Sequence, residues 1–428
     1  MDAKRSVPGN DRRPVTRNRE RNNMKNVAFI GVVLLMTSVA VSAWSAEAEP
    51  VKRVMAWDTS ALLQVPKVHP TQECAAPGMR AFFYEGVEYK GKPTRVFAYY
   101  AVPEGQPPAG GWPAVVCAHG GGGTAYPDWV KIWNQHGYAA ISMDLEGHLP
   151  DQRGHENAGP ARVDWFGDRD LPDNEQWFYH AVADVVRANS LLRSFPEIHP
   201  DKIGLTGISW GGTIVCTVAG VDPRFAFVIP VYGCGFLYES DNQGIAQWFP
   251  PKNMTAEQFR DYRTKWDPSA HLPYAKMPML WLNGSNDGTF PMDIFQRSAL
   301  AAPGPRTLHV RFRWMHGHGP GWKRPAIYAF ADSIVKGGTP LPTAERPELE
   351  AGTDLVRCKT TGKIDRAALC YTTGSGLWQK RYWENATCEI GEDEVTSRLP
   401  EGTTVFYFNV KNESGCLVSS EFVEVKAP

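Results

Sequence analysis

Gly207-Ile208-Ser209-Trp210-Gly211 places a serine between two glycines, the first point in this sequence where residue types suggest chemistry. A serine hydroxyl attacks a carbonyl carbon only when a histidine takes its proton and a carboxylate orients that histidine. The negatively charged oxygen formed in the attack needs backbone donors already in place, one of which is worth about 3 kcal/mol of barrier. Candidates for each part are present. His119-Gly120-Gly121-Gly122-Gly123 has the form of a donor loop, with Gly120 and Gly121 upstream and the amide of Trp210 as the second donor. Asp287, in Asn283-Gly284-Ser285-Asn286-Asp287, is the acidic residue directly beyond an apolar run at 279–282. Asp293 is the second choice, because Pro291 puts it in a first helical turn. Trp314-Met315-His316-Gly317-His318-Gly319-Pro320-Gly321 offers two histidines, and by spacing either could be the base.

These residues need a scaffold that brings them together. Apolar runs at 114–118, 139–143, 203–206, 225–231, 279–282 and 308–312 read as buried strands. Helical periodicity separates most of them, clearest at 178–192 and present at 214–218 and 327–334. Strands alternating with helices predict a mostly parallel sheet covered on both faces, with chemistry at the carboxyl ends of the strands. Residues 202–206 form a strand directly before Ser209 and 212–218 a helix directly after. A turn that tight strains the serine backbone and needs small neighbours, so the fold class is α/β and the motif sits at the head of the sheet. Residues 79–103 read as a hairpin leading in.

Two segments break the alternation. Residues 147–176 are rich in Gly, Pro, Asp and Arg, and residues 236–268 are aromatic and polar; both follow strands and are expected to cover or shape a site. Asp144, Glu146 and His148 follow a strand end and are candidates for lining it. Trp165, Trp210, Tyr232, Phe236 and Trp248 offer either a stacking surface or simple packing. Residues 337–350, opening with Lys336-Gly337-Gly338-Thr339-Pro340, read as a linker. Beyond it, strand-like runs at 355–359, 368–372, 378–383, 404–409 and 422–425 predict a small immunoglobulin-like β-sandwich over 351–428.

Composition narrows the classes further. The chain has 428 residues, 43% of them hydrophobic and 21% charged, which is globular. A formal charge of −1 gives no footprint for nucleic acid. Residues 1–48 run from basic through apolar to small, the order of a secretory signal peptide, with Met24 as an alternative start. The expected location is therefore secreted or periplasmic, with membrane association only if that segment stays uncleaved. Eight cysteines divide evenly between 74–234 and 358–416, and export would permit pairing within each group. The glycine loop lacks the Lys-Ser/Thr of a phosphate cradle, and the His316/His318 pair lacks a second ligand cluster. Neither a metal nor a cofactor is expected.

Taken in order, 207–212, 283–287 and 317–321 resemble the catalytic domain of prolyl-oligopeptidase-type hydrolases and related acetyl xylan esterases, over roughly residues 75–336. The resemblance implies an α/β-hydrolase fold over 49–336, with the order Ser, acid, His. It also implies His318 as the base, since the histidine of those peptidases stands in Gly-His-Gly-x-Gly, with His316 as the alternate. The large propeller of the peptidases finds no room in this sequence. The expected activity is cleavage of a carboxylic ester, small-molecule or polysaccharide, of the acetyl xylan type. A secreted peptidase and an inactive glycan-binding scaffold are the alternatives.

Overall fold

The computed structural model describes residues 51–425 except 165, 250–252 and 318–320. The expected leader at 1–48 lies outside the described residues. Nine strands build the main part of the sheet: β1 (Val68–Pro70), β2 (Arg80–Glu85), β3 (Arg95–Ala101), β4 (Trp112–Ala118), β5 (Ala139–Met143), β6 (Ile198–Ile208), β7 (Phe227–Val231), β8 (Met279–Gly284) and β9 (Arg306–Arg311). They lie in the order β1-β2-β3-β5-β4-β6-β7-β8-β9. β1 to β3 and the β3–β5 pair are antiparallel, and from β5 to β9 every pair is parallel. Every residue of β5 and β7 is buried, which is why these strands read as unbroken apolar runs rather than alternating ones.

Five helices accompany the sheet: α1 (Pro127–Gln135), α2 (Trp177–Ser194), α3 (Trp210–Val221), α4 (Met292–Ala301) and α5 (Pro325–Val335). In α2 the apolar stripe Ala181, Val182, Val185, Val186 and Leu192 is buried, as its period requires. α3 is buried almost all round, and its glycines explain how it can be. A Cβ on Gly211 would stand 2.1 Å from the Ala118 carbonyl oxygen, and one on Gly212 would stand 2.7 Å from Gly233 Cα. Only a bare backbone lets the helix come this close to the strand ends.

α2 also carries a buried carboxylate. Asp184 is 7% exposed, its Oδ1 has no hydrogen-bond partner, and burial pushes its pKa up to about 8. Unfolded, the same group titrates near 3.9. Between those values the folded chain holds a proton that the unfolded chain has lost, so stability falls as pH rises from about 4 to about 8. The Asp184→Asn variant removes this titration. Its stability relative to the parent should grow by about 1 kcal/mol per pH unit across pH 5–8 and level off above that, read from urea-unfolding midpoints.

The C-terminal strands form a β-sandwich, but one face of it continues the main sheet. β18 (Leu417–Ser419) pairs with β9 through Ser419 and Leu308, and β17 (Val405–Lys411), β13 (Arg366–Thr372) and β14 (Glu384–Thr387) follow; β19 (Val423–Glu424) also pairs with β17. The opposing sheet contains β10 (Thr343–Ala344), β11 (Glu348–Leu349), β12 (Leu355–Thr361), β15 (Glu389–Ile390) and β16 (Glu394–Arg398). Val356, Leu369, Val395, Phe406, Phe408 and Val410 fill the space between the two. Residues 337–350, expected as a linker, thus contain two short strands. The expected strand at 378–383 instead begins with a 3₁₀ turn, Trp378–Lys380, and Trp378 and Trp383 are buried in the main core. All eight cysteines carry free thiols, five of them raised in pKa well beyond the ordinary range or to about 12 by burial.

Candidate active site

β6 ends at Ile208 and α3 begins at Trp210, leaving Ser209 alone to turn the chain. Its φ of 59° and ψ of −120° lie where a residue with a side chain is strained, a cost the packing around it must hold in place. The Ser209 amide donates to the Val231 carbonyl at 2.8 Å. A Cβ on Gly207 would lie 2.2 Å from the Gly211 oxygen. The two glycines of the motif are therefore demanded by the turn itself, and the hydroxyl is held at the head of the sheet, 8% exposed.

The imidazole that reaches this hydroxyl belongs to His316. Ser209 Oγ donates to His316 Nε2 at 2.9 Å, and His316 Nδ1 donates to Asp287 Oδ2 at 2.8 Å. The alternate histidine of the sequence reading therefore occupies the position assigned first to His318, and His318 lies outside the described residues. One ring already fills the gap between serine and carboxylate, so the Gly-His-Gly pattern misdirects here by two positions. Asp287 is 1% exposed; its Oδ1 accepts from the amides of Thr289 and Phe290 at 2.7 and 2.8 Å, which leaves Oδ2 facing the ring. Asp293 lies in the first turn of α4, away from this chain of bonds, with its pKa pushed up to about 6 by burial. Tyr232, fully buried, packs its ring 4.8 Å from that of His316.

The glycine loop after β4 passes directly by the residue that follows the serine. A Cβ on Gly121 would stand 2.6 Å from Trp210 Cδ1, so the loop passes against the Trp210 side chain at Gly121. His119 clips the loop to the end of β5: its Nε2 accepts from the Leu145 amide at 2.8 Å, which leaves the proton on Nδ1 to donate to the Gly120 carbonyl at 2.7 Å. Glu146 Oε1 accepts from the Gly122 amide at 2.8 Å and from Arg162 Nε at 3.0 Å. Glu146 is thus an anchor of the loop, and Arg162, from the 147–176 segment, was not visible as a site neighbour in the sequence. Asp144 Oδ1 caps the Glu146 and His148 amides at 2.9 and 2.8 Å, a structural role. Of the aromatic candidates, Trp210 is buried against Phe166, Trp177 and Phe178, and Phe236 lies under the Arg297 guanidinium. Tyr232 and Trp210 pack rather than present a surface; Trp165 lies outside the described residues.

Residues 379–383 in the C-terminal part of the chain contribute to this site in a way that no motif announced. Asn286 donates to the carbonyls of Gln379 and Arg381 at 3.1 and 2.9 Å, and Arg313 Nε donates to the Trp383 carbonyl at 2.6 Å. The Arg313 amide donates to Ser285 Oγ at 2.8 Å, so the turn before Asp287 and the loop before His316 are tied to each other and to residues 379–383. Bonds to residues 379–383 from positions 70 or more residues away leave no local pattern to read. Asn286→Ala should lower kcat roughly tenfold with little change in KM, because small misplacements of positioned groups cost rate. Steady-state kinetics on a small ester, with a check that the unfolding midpoint is retained, measures it.

Residues 66–243, which hold both the glycine loop and Ser209, match the Acetyl xylan esterase (AXE1) family. An uncharacterized peptidase of Bacillus subtilis (strain 168), YuxL, is 26% identical over 211 residues, 47% of this chain and 30% of that protein. The chain therefore spans under a third of that relative. Among solved structures, the acetyl xylan esterase from Paenibacillus sp. R4 superposes with a TM-score of 0.52 at 20% identity, covering 66% of this chain and 97% of that one. The Pyrococcus horikoshii acylaminoacyl peptidase gives 0.46 at 17% identity, covering 64% and 42%. With a mostly parallel sheet in the order found here and a serine turn at its head, the chain has the α/β-hydrolase fold, and its residues 66–243 are similar to acetyl xylan esterases.

Proposed function

We propose that the chain is a serine esterase that cleaves acetyl or similar small acyl esters of a carbohydrate through an acyl-enzyme. The observation that carries this reading is the unbroken chain Ser209 Oγ, His316 Nε2, His316 Nδ1, Asp287 Oδ2, each link within 2.9 Å. In the proposed cycle His316 Nε2 takes the proton of Ser209 as Oγ bonds to the ester carbonyl carbon. The backbone amides at Gly121, with Gly120 beside it, and Trp210 hold the resulting oxyanion. His316 returns the proton to the leaving alcohol, and Asp287 steadies the imidazolium. Water, deprotonated by the same ring, then releases the acid and restores Ser209.

The match to acetyl xylan esterases over the nucleophile and donor loop favours an ester. A peptidase of the same superfamily is the second reading, favoured by the likeness to YuxL. Parallel assays on an acetylated saccharide and on an aminoacyl amide separate them: ester turnover is expected, and amide turnover without ester preference overturns the first reading. A fluorophosphonate should label the parent protein and fail to label Ser209→Ala. An unlabelled parent would leave only a binding role for the scaffold.

A further inference from the structure

A cavity of about 560 Å³ is lined by the end of β9, the start of α5 and the strands β13 and β17. Volumes of ~300–1,000 Å³ are those of small-molecule sites. Four cations line it, Arg311, Arg324, Arg366 and Lys411, and its described lining residues include no carboxylate. Asp365 pairs with Arg366 at 3.2 Å on the exposed side. In a chain of formal charge −1 this is a local concentration of positive charge. Arg311 and Arg324 both stand by the Trp314 ring, 5.0 and 5.2 Å from its centre. Burial, and after it the charge of Arg311, lowers the pKa of Arg324. The eleven-residue α5 begins here at Pro325, and its N-terminal end adds to the same positive field.

Two packed rings, Trp314 and Tyr232, stand between the arginines of this cavity and His316. The Trp314 ring lies 4.9 Å from that of Tyr232, which lies 4.8 Å from His316. Phe312, Ala367, Ala368 and Leu417 add apolar lining beside the cations. Apolar surface for a sugar face together with guanidinium groups for a carboxylate fits an acidic saccharide better than a bare anion. We propose that this cavity binds a uronate-bearing stretch of the saccharide whose ester is cleaved at Ser209. The proposal rests on the ester reading for its connection to turnover, but binding can be measured without it.

The test uses the full chain and two probes matched in length, an oligogalacturonate and a neutral xylo-oligosaccharide, titrated by calorimetry at low and at moderate salt. The parent protein should bind the acidic probe at least tenfold more tightly than the neutral one, with the preference shrinking as salt rises. The Arg366→Gln/Lys411→Gln pair, both in the C-terminal strands, should lose at least tenfold in affinity for the acidic probe while kcat/KM on a small acetyl ester stays unchanged. Equal binding of the two probes, or full retention of affinity in the double variant, overturns the site. Inorganic phosphate that displaces the acidic probe at equal concentration overturns the saccharide and leaves a general anion site. A protein that binds the acidic probe as expected but hydrolyses no acetyl ester refutes the ester reading and not the cavity.

Discussion

Replacing His316 by alanine should lower kcat on a small ester by on the order of 10⁵–10⁶, close to the loss expected for Ser209→Ala, because the two act as one unit. His316 is the ring that bridges the hydroxyl and the buried carboxylate, and no other group in the described structure accepts the Ser209 proton. His318→Ala should keep the larger part of the activity. Measured side by side in single-turnover and steady-state assays, the pair decides which histidine is the base; a severe loss in His318→Ala with a mild one in His316→Ala would reverse the assignment. The unfolding midpoint should move little in His316→Ala, since the ring is partly exposed at the mouth of the site.

Asp287→Asn should lower kcat by about 10⁴ while leaving the fold intact. An amide in this place still accepts from Thr289 and Phe290 through its oxygen, as Asp287 Oδ1 now does. Its NH₂ then faces His316 Nδ1, which must become an acceptor. The ring proton moves to Nε2, where it points at Ser209 Oγ, and the base is lost although every heavy atom has kept its place. KM should change much less than kcat, because the carboxylate touches no substrate. Asp293→Asn, the corresponding change in the neighbouring helix, should retain near-parental kcat; a loss there comparable with Asp287→Asn would show the acid to be misplaced.

Ser209, the glycine loop and Asp287 were all legible because each is declared by its own neighbours. Local packing forces the type of residue at Gly207 and Gly211, since a Cβ at either collides with backbone, and chain order then narrows the acid to the turn after β8. The parallel sheet was legible for the same reason, a run of four to seven apolar residues being a strand buried on both faces. His316 against His318 was not decidable, because two histidines two positions apart in one loop satisfy the same order of residues.

Decisions at long range were invisible in the sequence. β18 adds to the edge at β9, Asn286 reaches carbonyls at 379 and 381, and Arg311 meets Lys411 across a cavity, and none of these pairs shares a period or a motif. The C-terminal strands, legible as a sandwich, had been expected to stand apart behind a linker. The amino-acid order by itself determined the strained turn at Ser209, its glycines and the strand and helix on either side of it, since those depend on contacts within a few residues. Which imidazole lies between Ser209 and Asp287, and that residues 379–381 hold the turn before Asp287, was decided by tertiary structure alone, because hydrogen bonds between distant segments depend on where the folded backbone puts them and not on the residues beside them in the chain.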